Sequence, residues 1–303
     1  MVRAPSIASR RMSACPACCE VSARFPAPID RAIAGGFSAD RLGFAFAAGY
    51  HAALCSLVPS VCGTKFAALC ATEEAGAHPR DIRTSLDRGS DGRLYLNGNK
   101  RWATLAPLAD ELFIVASTGK DKEGKNRLCL VRIGKCRPGI RVVPMQDTPF
   151  VPEIPHARVV LESVPVDEDD VLEGDGYDAY LKPFRTIEDV HVHGALLGYL
   201  IGAARRHRWP TGVVERLSAA TVGIRSLAAA PPSAPEVHVA VAGMLDEARR
   251  IVEDTSELWT SAGNGERGRW ARDRALLDVA AKARAARRER AWEAIGAAQS
   301  SGP

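Results

Sequence analysis

The stretch between residues 84 and 170 constrains this chain more than any other. Asp91-Gly92 signals a turn, Arg93-Leu-Tyr-Leu-Asn97 alternates, and Asn97-Gly98 is a dipeptide favoured in tight hairpins. Strand candidates follow in close succession at Lys100–Thr104, Glu111–Ser117, Leu128–Ile133, Ile140–Pro144 and Ala157–Leu161. No long helical pattern separates them. Strands joined by tight turns predict an antiparallel sandwich or barrel, because a parallel sheet needs a crossover connection, usually a helix, between its strands.

Both flanks carry the helical period. Residues 28–70 read as helical, with Gly35-Gly36 as a break and Ser38 as the N-cap of the next helix. Within that helix Leu42, Phe46, Ala53 and Leu57 recur at helical spacing and read as core, with no site among them. Beyond residue 184, Glu188–His207 is one apolar-rich helix, and Pro210 and the Pro-rich stretch at 230–235 interrupt the pattern. Pro235–Trp259 is a second long helix, with Val237, Val241, Met244, Ala248, Ile251 and Leu258 on one side. Trp270–Ile295 is a third, whose many arginines form a solvated face or an interface. The fold class is therefore α+β. An N-terminal helical segment (1–68, with 1–20 expected to be poorly ordered) precedes a middle antiparallel β-sandwich or barrel domain (69–175) and a C-terminal helical bundle (176–303).

Composition narrows the function classes. Length 303 suits about two domains. An excess of 40 basic over 36 acidic residues is too small for a nucleic-acid-binding charge field, and no apolar run approaches the ~20 residues of a membrane span. The eight cysteines are scattered, several of them in apolar stretches, so they read as buried thiols and not as a disulfide framework. Cys15-Pro-Ala-Cys18-Cys19 lacks a second ligand pair, so no metal is expected. Arg3, Arg10 and Arg11 are followed by no apolar segment of the secretory kind, which gives the expectation of a cytoplasmic protein with reduced thiols.

Two apparent motifs fail. Gly263-Asn-Gly265-Glu-Arg-Gly268 has the letters of a dinucleotide fingerprint, but a long helix precedes it where a strand is required, and it reads as an inter-helix loop. His191 and His193, two residues apart on a helix, face away from each other and cannot easily share an ion, whereas Asp189 and His193 are spaced to pair.

Four ordered segments carry chemistry. They are Leu69-Cys-Ala-Thr-Glu-Glu-Ala-Gly76, Leu96-Asn-Gly-Asn-Lys-Arg-Trp-Ala-Thr104, Ala109-Asp110 before an apolar strand, and Val164-Pro165 before Leu172-Glu-Gly174. In this order, within a helix–β–helix plan, they resemble the acyl-CoA dehydrogenase family, well over about residues 35–205 and loosely elsewhere. The resemblance implies FAD. Leu69, Cys70, Ala71 and Thr72 would lie along the edge of the flavin ring, with the Thr72 hydroxyl and the Ala71 main chain at its pyrimidine side. Trp102 would pack its indole on the ring, and Ala103 would carry the chain on to Thr104, directed at flavin N5. Read without the family, Trp102 is a sandwich-core residue and Thr104 a strand residue.

The implied reaction removes an α-proton from an acyl-CoA thioester while a hydride leaves the β-carbon for the flavin. It needs a carboxylate base in a dry pocket. Some members carry this Glu on the first helix after the β domain, ten residues before a helix Gly, and Glu188 stands at that spacing from Gly198. The other reading of Glu188 is a charged residue in a helix's first turn, favourable to the dipole. Arg185, Ala77 and His78 are the implied substrate-side residues. An electron-transfer flavoprotein is the implied acceptor, and a homodimer or tetramer the implied assembly.

The chain also departs from the pattern. Ala77 stands where the family has a Ser, and one residue is missing around Glu74-Ala75. Arg205-Arg-His-Arg-Trp209 replaces an Arg-x-x-Phe-Gly stretch that reaches a neighbouring subunit's FAD, and the Gly-Gly loop for the adenine end has no counterpart. Two alternatives stay open: a family-derived subunit without catalysis, and a flavin enzyme of the monooxygenase or nitroalkane oxidase kind.

Overall fold

The computed structural model describes residues 24–61, 65–76 and 78–300, with the side chains of 299 and 300 set aside. The expectations for residues 1–20, including Cys15, Cys18 and Cys19, and for Ala77 fall outside the described residues. The chain packs into two compact units.

The β unit takes residues Leu57–Thr148 and Glu153–Pro183. Its strands are β1 (Ala67–Cys70), β2 (Ser85–Arg88), β3 (Leu94–Thr104), β4 (Glu111–Lys120), β5 (Asn126–Gly134), β6 (Ile140–Pro144), β7 (His156–Val166) and β8 (Val171–Leu172). They form one sheet in the order β6-β7-β3-β2-β4-β5-β8, with β1 on β4. Most pairings are antiparallel, and β2–β3, β4–β5 and β6–β7 join strands that follow one another in the chain. Two are parallel: β1 with β4 over four residue pairs, and β2 with β4 at Ser85 and Ser117. Along β7, buried Ala157, Val159 and Leu161 alternate with residues turned outward. β4 is buried without a break from Glu111 to Ala116, the pattern of a strand covered on both faces.

Two local expectations fail in this unit. Residues 67–70, read as the end of a helical block, form β1. Asn97-Gly98 is not a hairpin turn: β3 runs straight through it, and the register against β7 shifts between Leu96 and Gly98. A Cβ on Gly98 would lie 2.5 Å from Thr84 Oγ1, and its φ of +148° suits glycine, so the dipeptide marks a bulge under a close backbone approach.

The helical unit takes residues Glu20–Ser56, Pro149–Pro152 and Phe184–Pro303. Its helices are α1 (Pro28–Ser38), α2 (Leu42–Leu57), α3 (Lys182–His207), α4 (Thr211–Leu227), α5 (Pro235–Asp254), α6 (Asn264–Asp273) and α7 (Ala281–Ser300). Gly35-Gly36 does not break α1, and Ser38 is its last residue, not an N-cap. A Cβ on Gly36 would come within 1.9 Å of Ala195 O, so this glycine lets two helix backbones touch. The helix α4 was not foreseen. Gly263–Gly268 is no loop either: α6 starts there, with Gly263 as its N-cap. The single helix expected over 270–295 is interrupted by a 3-10 turn at Arg274–Asp278 and by Ala280 at φ +64°. The second long helix ends at Asp254, five residues early, and continues as a 3-10 segment over Ser256–Ser261.

The core of this unit is an aromatic stack set among aliphatic side chains. Trp259 and Trp270 lie 4.5 Å apart between ring centroids, Tyr199 stacks on Trp270 at 6.0 Å, and Leu200, Leu217 and Ile251 pack in the same cluster. Among the described residues no helix is long and apolar enough to cross a membrane.

Candidate functional site

In the β unit the two sequence segments assigned to a cofactor come together. β1 ends at Cys70, and the chain leaves it through Ala71 and Thr72 beside the end of β3. The Arg101 N–H donates to Thr72 O at 2.9 Å. The Lys100 ammonium donates to Glu73 Oε1 at 2.7 Å and to Ala71 O at 3.3 Å. Leu69, Cys70 and Ala71 are buried. Burial pushes the Cys70 thiol up to about 12, so it stays neutral and acts as a small apolar group. Thr72 is half-buried, and its hydroxyl has no hydrogen-bond partner among the described residues.

A second bulge then re-aims β3. Lys100 pairs with Val159 and Ala103 with Ala157, so β3 holds one more residue than β7 over that step. Trp102 sits in the bulge at φ +60°, a conformation that a bulky residue adopts only under strain. Its indole is 50% exposed, which overturns the sandwich-core alternative; the buried residue beside it is Ala103. The Arg101 guanidinium lies 5.4 Å from the indole centroid, and His156 meets the ring edge-on at 6.2 Å. Thr104 Oγ1 is 3.3 Å from His156 Nδ1 and 3.4 Å from Trp102 O. Burial holds His156 below the ordinary histidine range, so it is neutral at pH 7. An outward-facing aromatic ring, an unpartnered threonine hydroxyl and a second hydroxyl nearby are the donor set that fits a flat heteroaromatic cofactor such as a flavin.

The helical unit holds the candidate base. Glu188 lies in the second turn of α3 and faces a cavity of about 160 Å³, walled by Leu42 and Phe46 of α2 and by Val192 and Leu196 of α3. Its carboxylate has no hydrogen-bond or ion-pair partner among the described residues. Burial pushes the Glu188 carboxyl up to about 7. The charge of neighbouring Asp189 adds to this, and Arg284 and Arg287 oppose it. Those arginines come from α7 and are spent on Asp189: Arg284 Nη1 donates to Asp189 Oδ1 at 3.3 Å, and Arg287 binds the other oxygen. The result is a carboxyl in an apolar cavity, poised near neutrality and free of a direct cationic partner, which are the conditions for a general base.

The remaining expected residues are placed as follows. Arg185 lies three residues before Glu188 on α3 and is half-buried. His78 is exposed and accepts the Arg80 N–H at its Nδ1. The expected Asp189–His193 side-chain pair does not form: His193 Nδ1 donates to the Asp189 backbone carbonyl at 2.8 Å, while the Asp189 carboxylate goes to the arginines. His191 donates likewise to Ile187 O at 2.7 Å, and the described residues contain no cluster able to hold a metal.

Several residues around the candidate site escaped the sequence reading. Leu42 and Phe46 were read as core alone but line the Glu188 cavity. Arg284 and Arg287 reach Asp189, the neighbour of Glu188, across 95 and 98 residues of chain, and no local pattern couples them. His156 lies 52 residues from Thr104 and is brought to it only by the β3–β7 pairing.

Residues 68–164 match the acyl-CoA dehydrogenase, middle domain family. Benzylmalonyl-CoA dehydrogenase of Aromatoleum aromaticum is 31% identical over 138 residues, covering 44% of this chain and 34% of that protein. The amino sugar nitrososynthase DnmZ of Streptomyces peucetius is 28% identical over 185 residues, covering 58% of this chain and 44% of that protein. The chain thus spans less than half the length of these curated relatives. The solved structure of butyryl-CoA dehydrogenase from Megasphaera elsdenii superposes with a TM-score of 0.65 at 19% identity, over 86% of this chain and 78% of that one, and shares its fold.

Proposed function

Since the chain belongs to the acyl-CoA dehydrogenase family, we propose that it is a flavin-dependent oxidoreductase of that kind, with FAD as cofactor, an acyl-CoA thioester as substrate and Glu188 as base. The observation that carries the reading is a half-buried Glu188 carboxyl on the wall of a largely apolar cavity, with no ion-pair partner among the described residues and pushed up to about 7 chiefly by desolvation. A bound flavin would supply the acceptor for the hydride leaving the β-carbon. The protein supplies the rest. Glu188 takes the α-proton onto its carboxylate, and the largely apolar walls of its cavity keep that carboxylate basic by limiting its solvation. Trp102 offers a face for the cofactor ring, and Thr72 and Thr104 offer hydroxyls to its edge. Electrons would leave to an electron-transfer flavoprotein.

Similarity to a nitrososynthase over 58% of the chain favours a second reading, in which the same flavin platform serves another oxidation. The test is the visible spectrum of the purified protein before and after an acyl-CoA is added under anaerobic conditions. Bleaching of bound flavin supports the dehydrogenase. Flavin that stays oxidised with every acyl-CoA sinks it. A colourless protein that takes up no added FAD leaves a non-catalytic subunit.

A further inference from the structure

The cavity beside Glu188 has a wall that α2 and α3 do not provide. Leu276, Leu277 and Val279, from the link between α6 and α7, line another side of it, with Leu276 and Leu277 half-buried and Val279 at the exposed rim. This link is anchored at both ends. Before it, the buried Asp273 carboxylate accepts the Val151 N–H at 2.7 Å and is gripped by Arg272. After it, Arg284 donates to Leu277 O at 2.6 Å while also holding Asp189, the residue next to the base. Ala280 makes the turn between the two at φ +64°. The wall is therefore fixed to the helix that carries Glu188 and is not a loose loop.

The space that it leaves is about 160 Å³. An apolar cavity of roughly 150 Å³ accepts one benzene molecule, so there is room for about six carbon atoms. The polar groups on the lining are already engaged: Asp189 and Arg284 neutralise each other, and burial holds His193 below the usual histidine range while its Nδ1 serves the Asp189 carbonyl. What remains is apolar surface from Leu42, Phe46, Val192, Leu196 and the wall.

We propose that the Leu276–Val279 segment sets substrate specificity by ending the acyl subsite about six carbons deep, so that the preferred thioesters carry short acyl groups. This rests on the reading of Glu188 as the base of an acyl-CoA enzyme.

The experiment uses the purified full chain with FAD and a straight-chain series from butyryl- to dodecanoyl-CoA. Binding is measured by calorimetry and flavin bleaching by absorbance. Affinity is expected to peak at butyryl- or hexanoyl-CoA and to fall about tenfold or more by dodecanoyl-CoA. In Leu277→Ala the optimum is expected to move to longer chains. A wild-type affinity that is flat or rises with chain length overturns the proposal whatever the variant does, and so does failure to bind any member of the series. Length-graded binding without bleaching overturns the dehydrogenase reading and leaves the wall standing.

Discussion

Lys100 Nζ and Glu73 Oε1 lie 2.7 Å apart, and both side chains are almost wholly out of water. Burial alone would push the Glu73 carboxyl up. The Lys100 ammonium, its hydrogen bond and the N–H groups of Thr84 and Arg83 outweigh that and hold it below the ordinary carboxylate range. The same lysine holds Ala71 O, and the next residue's N–H holds Thr72 O, so the pair fixes the edge on which the proposed flavin contacts sit.

Removing one partner leaves a buried charge uncompensated. Lys100→Met is expected to cost about 3–5 kcal/mol of stability in urea unfolding, and Glu73→Gln added to it to restore part of the loss. Flavin content should fall with Lys100→Met even at temperatures where the fold persists. Full flavin occupancy in that variant would mean that the pair does not organise residues 71–72.

Trp102 gives a prediction of opposite signs. Its left-handed backbone costs of order 1 kcal/mol, and half of its surface faces water. Trp102→Gly is expected to raise stability by about 0.5–1 kcal/mol in thermal unfolding while weakening FAD binding about tenfold. Unchanged FAD affinity would remove the indole from the cofactor site.

Much of this was legible in the sequence because it is local. Thr72, Trp102 and Thr104 lie within short segments whose residue order carries the resemblance, and the strands between residues 100 and 161 show as short runs with no helical pattern between them. What failed depends on contacts distant in sequence. Gly36 looked like a helix breaker, but its missing side chain admits the backbone of Ala195. Gly98 looked like a hairpin turn, but it makes room for Thr84. Glycine carries the same letter whether it supplies a turn or a close approach, and only the packed partner tells the two apart. The arginines of α7 read as a solvated face or an interface, and their sequence does not tell that Arg284 and Arg287 meet Asp189.

Gly36→Ala tests the close approach. The added Cβ would fall 1.9 Å from Ala195 O, so α1 must shift from α3. A loss of about 1–3 kcal/mol or more is expected in chemical denaturation. Gly296→Ala on α7, where a Cβ meets nothing within 4 Å, is expected to be neutral or slightly stabilising.

Glu188 links stability to activity through pH. Its carboxyl is raised from 4.5 to about 7 in the fold, chiefly by burial. An acid whose folded pKa lies above its unfolded one favours the fold while protonated. Its contribution is full below about pH 4.5, declines as pH rises through the interval, and is gone above about 7. Glu188→Gln does not ionise, so its stability relative to wild type should improve by about 1–3 kcal/mol between pH 4 and pH 8, read from urea midpoints. The activity profile should run the other way. A base works deprotonated, so the rate of flavin bleaching by a short acyl-CoA should climb through about pH 7 in the wild type. In Glu188→Gln the rate should fall by about 10²–10⁴-fold and lose that rise. A variant that gains the stability but keeps the wild-type rate would leave Glu188 as a buried acid only and move the base elsewhere.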